Sequence, residues 1–165
     1  MNILVTCGAG FIASHIVDAY IKKGHRVSVV DNLATGFRKN VNKEAKFYKA
    51  DIRDLETLRG IFKKSQPQIV NHHAAIAEVA KSLRDPIPTL EVNVLGTTNL
   101  LLLGGEHNIK KFIFSSTGGA MYGDPEKLPA HETTTPKPLS PYGLSKLLAE
   151  ETIRYYSSNN NFSHL

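Results

Sequence analysis

The stretch ILVTCGAGFIASHIVDAY (Ile3–Tyr20) decides the fold. An apolar, β-branched run ends at Thr6 and small residues follow. Phe11, Ile12, Ile16, Tyr20 and Ile21 then recur at helical spacing, with Gly24 as the stop. A strand that turns tightly into a helix leaves the first helical amides without partners, and such a turn suits an anion. The small residues satisfy G-x-G-x-x-G/A through Gly8, Gly10 and Ala13. In the alternative G-x-x-G-x-x-G register, Cys7 and Ala13 replace the outer glycines. Gly10 serves in both registers at the position where backbone must approach a pyrophosphate, and Ala13 adds one methyl where only a small side chain is needed. Cys7 is tolerable there at negative φ and strained at positive φ. The amides of Phe11 and Ile12 are the expected diphosphate ligands.

Strands and helices alternate along the rest of the chain. Strands are read at 2–6, 26–31, 45–50, 69–74 and 111–116. Helices are read at 11–23, from the cap Asp54 through Phe62, at 86–107, and from Pro141 onward. A Pro-rich segment, 124–141, is read as loop. This pattern predicts an α/β, Rossmann-type doubly wound parallel sheet in the order 3-2-1-4-5, in one domain over 1–157. Its switch point lies between strands 1 and 4, where TCGAG and HHAAIA emerge. Ser and Asn are poor helix formers, so the last helix is expected to fray near Ser157 and leave a tail over 158–165.

Composition narrows the function classes. The 165 residues suit one domain, and 41% apolar with 21% charged content is that of a globular protein. The net charge is +5, yet no basic run exceeds two residues. That pattern argues against nucleic acid and suits a phosphate-bearing small molecule. The single cysteine excludes an internal disulfide and a CxxC metal site. Neither a signal peptide nor a membrane span is read, and a cytoplasmic location is expected. The adjacent His72 and His73 face opposite sides of a strand, so no metal is expected and backbone-bonded packing is.

Two further features carry chemistry. Asp31 ends the second strand 21 residues past Gly10, near the spacing for a carboxylate on an adenosine ribose. Asn32, not Arg, follows it, and a carboxylate repels a 2′-phosphate, so NAD is favoured over NADP. Tyr142 and Lys146, four apart at a helix start, share one face. SSTGGAMYG leaves the fifth strand beside the switch point, so Ser116 or Thr117 could hydrogen-bond a substrate oxygen. An adjacent ammonium favours a phenolate able to take a hydroxyl proton.

Together TCGAGFIASH, DNLATG, ADIRD, NVLGTTNLL, SSTGGAMYG and SPYGLSKLLAE resemble the extended short-chain dehydrogenase/reductase family, within it the UDP-glucose 4-epimerases. The resemblance reaches to about residue 157 and implies roles. Gly8, Gly10, Phe11 and Ile12 would hold the NAD pyrophosphate. Asp31, Asn32, Leu33, Thr35 and Gly36 would hold the adenosine ribose, and Asp51 and Ile52 would flank adenine. His73, Ala74, Ala75 and Ala77 would line the NAD path, with Asn93 in support. Lys146 would bind the nicotinamide ribose, and Thr117 and Tyr142 would be the catalytic pair. The implied reaction is oxidation of a UDP-hexose at C4 to a 4-keto intermediate, rotation of the sugar, and hydride return. A homodimer through the long helix and the Tyr142–Lys146 helix is also implied. Sibling dehydratases carry an Asp-Glu pair where Gly118 and Gly119 stand. Family members usually have Gly at positions 7 and 13, and they continue well past this chain into a sugar-nucleotide region. The alternative reading is therefore a non-catalytic NAD-binding module, or a subunit completed by another polypeptide.

Overall fold

Ile3 and Val5 pack to one side of β1 (Asn2–Thr6), Leu4 packs to the other, and all three are buried. A strand with both faces covered needs apolar residues at successive positions, which is why β1 reads as a continuous apolar run. The computed structural model describes residues 1–125 and 127–165; Glu126, inside the Pro-rich segment read as loop, lies outside the described residues. α1 (Phe11–Lys22) leads to β2 (Arg26–Asp31), β3 (Lys46–Lys49) and α2 (Leu55–Ser65). β4 (Ile69–His72), α3 (Val79–Arg84) and α4 (Pro86–Leu90) follow. A π-helical stretch, Glu91–Leu95, then joins α4 to α5 (Gly96–Glu106). β5 (Lys111–Phe114), α6 (Pro141–Asn160) and β6 (Ser163–His164) complete the chain.

The strands form one parallel sheet in the order β3-β2-β1-β4-β5-β6. β1 pairs with β2 and β4 (Ile3 opposite Val27 and Ile69), so the chain reverses its winding direction beside β1. The expected order is present, extended by one strand. α1 covers one face through Ala13 and Val17 against Val5 and Val29. Phe11 and Ile12, read with the apolar face of that helix, are instead 80% and 63% exposed, because they sit at the turn above the sheet edge. On the other face Leu58 and Phe62 of α2, Leu100 and Leu103 of α5, and Ile153 of α6 enclose Leu4, Val70 and Phe112. Asp54 caps α2 by accepting from the Thr57 amide at 3.0 Å, and Gln66 ends it in the left-handed region.

The C-terminal tail departs from expectation. α6 continues to Asn160, and residues 162–165 are held instead of fraying. Asn159 and Asn160 donate their side-chain amides to the Tyr155 and Tyr156 carbonyls, and Asn161, at φ 56, ends the helix in the left-handed region that Asn tolerates. Phe162 then drops into the core against Phe112, with ring centroids 6.5 Å apart. The Leu165 amide donates to the Phe112 carbonyl at 3.0 Å, so β6 covers the edge of β5. Burial of one aromatic outweighs weak local helix propensity here. The other missed elements are a 3-10 turn at Arg38–Asn40, α3 and the π-helical stretch. Among the described residues no helix is long and apolar enough to cross a membrane, and no cluster of three metal-ligating side chains occurs.

Replacing Phe162 by Ala should lower the unfolding free energy by about 3 kcal/mol, the usual cost of emptying a buried aromatic site. Urea denaturation of the variant beside the parent measures it, and a loss within error would show that the tail is not part of the core.

Candidate active site

The turn between β1 and α1 is built by close approach. Cys7 has φ 59, a conformation that costs a non-glycine residue about 1 kcal/mol. Its amide is nevertheless satisfied by the Val30 carbonyl at 2.9 Å. A Cβ at Gly8 would lie 2.6 Å from Val29 Cγ1, so the turn can press onto β2 only with Gly there. The Gly10 amide donates to the Cys7 carbonyl at 2.9 Å, closing the bend. The amides of Phe11 and Ile12 have no hydrogen-bond partner among the described residues. Asp31 is buried and accepts from the Ala9 amide at 3.0 Å and the Leu33 amide at 2.7 Å. One carboxylate thus fixes both the phosphate-type turn and the turn after β2. A Cβ at Gly36 would lie 2.8 Å from the Ala9 carbonyl carbon, which packs those two turns together.

A cleft of about 440 Å³ opens beside these turns. Cys7, Asp31, Asn32, Thr35, Asp51, Ile52, Ala74, Ala75 and Ala77 line it, as do Arg53 and Lys81, which the motifs did not mark. Leu33 does not line it; its side chain packs into the core on the α1 face. Gly8 lies behind the turn, against β2. A larger concavity of about 580 Å³ lies at the opposite end of the strands, lined by Asn2, Arg26 and Lys46, and holds none of the candidate site residues.

The floor between β1 and β4 is a hydrogen-bond relay. Thr6 Oγ1 accepts from the His73 and Ala74 amides, both at 3.0 Å. It lies 2.7 Å from His72 Nδ1, and His72 Nε2 lies 2.9 Å from Thr97 Oγ1. Thr97 Oγ1 donates to the Asn93 carbonyl at 2.6 Å. Thr6 has spent its acceptor capacity, so its hydroxyl hydrogen goes to His72 Nδ1, and Nε2 carries the ring proton. Burial, with the Lys146 and His73 charges adding, holds His72 well below the ordinary histidine range. The backbone-bonded packing expected of this histidine is replaced by two threonine hydroxyls. His73 is half-buried, and its Nε2 has no protein partner among the described residues. Its pKa is lowered by burial and then by Lys146.

Asn93 stands in the π-helical stretch and clamps two elements. Its side chain accepts from the Ile76 amide at 2.8 Å and donates to the Ile76 carbonyl at 3.0 Å and to Ser145 Oγ at 2.9 Å. It therefore supports the Ala74–Ala77 loop from behind and does not line the cleft. Ser82 of α3, fully buried, accepts from the Tyr142 amide at 3.1 Å, while Ser140 caps α6 through the Gly143 amide. Thr6, Ser82, Thr97 and Ser145 are positioning residues that the motifs did not reveal, because lone hydroxyls carry no distinctive spacing.

Thr117 and Tyr142 line a second cleft, of about 450 Å³, with Gly119, Ala120 and Ser140. Lys146 is 3% exposed. Its Nζ donates to the Ser115 carbonyl at 2.7 Å and lies 4.5 Å from the centre of the Phe114 ring. Burial brings its pKa down to about 8, and Glu150 opposes the fall. Ser116 does not join this group. Its hydroxyl donates to Glu150 and lines a different groove with Ile153 and His164. Of the two hydroxyls after β5, only Thr117 lies on Tyr142's side.

The sequence profile of the NAD dependent epimerase/dehydratase family matches residues 3–165. The chain belongs to that family. A UDP-glucose 4-epimerase of Streptococcus mutans is 42% identical over 158 residues, covering 94% of this chain and 47% of the relative. The UDP-glucose 4-epimerase of Thermotoga maritima, solved with UDP-glucose, superimposes with a TM-score of 0.97 at 45% identity, covering 99% of this chain and 53% of the other. That of Thermus thermophilus, solved with NAD, gives 0.96 at 44% identity over 99% and 53% of the two chains. This family member thus spans about half the length of the relatives it matches.

Burial, and then the Asp31 charge, raise the Cys7 thiol to about 11. A thiol reacts as its thiolate, so iodoacetamide at pH 8 should label Cys7 at least tenfold more slowly in the folded protein than in urea. Equal rates would show that the thiol is open and unshifted.

Proposed function

We propose that this chain is the NAD-binding, proton-transferring half of a UDP-hexose 4-epimerase. One observation carries the reading: Thr117 and Tyr142 share a cleft, above a buried Lys146, at the strand ends that also carry the phosphate-type turn and Asp31. The unpartnered amides of Phe11 and Ile12, the close approach at Gly10 and the buried carboxylate of Asp31 fit NAD. When bound, NAD supplies a hydride acceptor that can return the hydride to the opposite face of the sugar carbon. Tyr142 takes the hydroxyl proton as the carbonyl forms and gives it back afterwards. Thr117 hydrogen-bonds the same sugar oxygen and orients it. Lys146, held by Ser115 and Phe114, supplies the fixed positive charge that a tyrosinate needs. Gly118 and Gly119 bring no carboxylate, so the acid–base pair for eliminating water is missing, and the 4-keto sugar has no exit but reduction. Exposed Leu95, Leu144 and Leu148 on the long helix and α6 support a homodimer through those helices.

A second reading, in which the chain binds NAD without catalysis, rests on the Asp31–Asp51 cleft alone. Incubation with UDP-galactose and assay for UDP-glucose separates the two: turnover supports the first, and NAD binding without turnover supports the second. NAD released by acid from purified protein is the common expectation.

In a turnover-competent form, Tyr142→Phe should abolish turnover and leave the NAD dissociation constant within about twofold; a large loss of affinity would reassign Tyr142 to binding. A lowered lysine pKa means that the ammonium is lost as pH rises through about 8, not near 10.5. Turnover should therefore decline above pH 8, and Lys146→Arg, whose charge persists, should remove that decline. A profile flat to pH 10 would refute the role of the ammonium. Light scattering should give a dimer mass, falling to a monomer in Leu144→Glu/Leu148→Glu.

A further inference from the structure

The adenine end of the cleft is tied by a guanidinium. Arg53 donates its backbone amide and Nε to Asp51 Oδ1, both at 2.9 Å, and Nη2 to Asp51 Oδ2 at 2.9 Å. Asn32 Nδ2 adds a contact to Oδ2 at 3.1 Å. Two carboxylate oxygens offer about four lone-pair directions, and all four are engaged. Arg53 Nη1 reaches across to Glu91 Oε2 at 3.1 Å, on the π-helical stretch. Asn99 Nδ2 donates to the Ile52 and Arg53 carbonyls, both at 3.1 Å. The wall formed by Asp51, Ile52 and Arg53 is therefore moored to the ribose turn on one side and to the long helix on the other. The Asp51 carboxyl is held far below the usual carboxylate range, chiefly by the Arg53 side-chain hydrogen bonds, so the mooring persists throughout the neutral range.

We propose that Arg53 is a positioning residue for adenine: bridging Asp51 to Glu91, it holds the cleft wall in its binding geometry and sets affinity for the adenosine part of the dinucleotide. The proposal rests on the NAD reading above. An isolated exposed ion pair contributes little, but a bidentate pair extended into a network is the favourable case. The alternative is that Arg53 acts only as a positive charge attracting phosphates. The two differ in sign at Glu91. Exchanging that carboxylate for a neutral amide loosens the mooring, which weakens binding if geometry matters. It also removes a negative charge, which tightens binding of an anionic dinucleotide if charge alone matters.

The test uses isothermal titration of the full chain with NAD and nicotinamide mononucleotide, and NMR titration with uncharged adenosine, for the parent, Arg53→Met and Glu91→Gln. All three side chains concerned are solvent-accessible, and thermal melts check that the variants are folded. Arg53→Met should weaken NAD and adenosine about fivefold and leave nicotinamide mononucleotide unchanged. Glu91→Gln should weaken both adenine ligands about twofold. NAD binding as tight as the parent's or tighter in Glu91→Gln, or equal losses for both nucleotides in Arg53→Met, overturns the proposal while NAD binding stands. A parent chain that binds no NAD overturns both readings together.

Discussion

One hydroxyl ties β1 to the loop that leaves β4, where the winding reverses. Thr6 Oγ1 takes the two amides that leave β4 and passes its own hydrogen to His72. Without that acceptor the His73 and Ala74 amides would lie at the crevice with no strand to satisfy them, and the loop to Ala77 would lose its origin. The same hydroxyl sets the direction of the relay through His72 and Thr97 to Asn93, and so from β1 to α6. A neutral imidazole is required, because an imidazolium would turn a second donor toward Thr6. Full burial secures that neutrality by making the charged form expensive.

The two clefts are organised by opposite electrostatic means. Around Asp31 and Asp51, carboxylates are engaged by backbone amides, an asparagine and a guanidinium, so negative charge fixes chain geometry. Around Tyr142, a lone ammonium is stripped of water and held by a carbonyl and an aromatic face. The first arrangement gives shape and the second gives a labile charge. The two meet at the loop that Asn93 grips, which ties the wall of the first cleft to α6.

The glycine turn, Asp31, the strand order and the Tyr142–Lys146 face were legible because each obeys a spacing rule imposed by strand or helix geometry. Cys7 shows the limit of such rules. Its side chain said only that the turn could be strained, and the positive φ is a property of packing against β2. Ser116 and Thr117 are chemically interchangeable as residue types, and only the course of the chain beyond β5 assigns one to each cleft. The tail was misread because helix propensity is local, whereas Phe162 is anchored by residues about fifty positions away. Ser82 and Thr97 carried no signal, since a buried hydroxyl is recognised by its partners and not by its neighbours in the chain.

The π-helical turn around Asn93 makes the long helix a matter of phase. One residue beyond the ordinary repeat is absorbed there, and about 100° of rotation accompanies each residue of an α-helix. Deleting a single position between Glu91 and Leu95 would let the stretch close into ordinary α-helix, keeping α4 in phase with α5 but drawing Asn93 away from Ile76. Exchanging an exposed side chain such as Leu95 would leave that alignment intact. The segment should therefore tolerate drift in identity far better than any change in its count of residues.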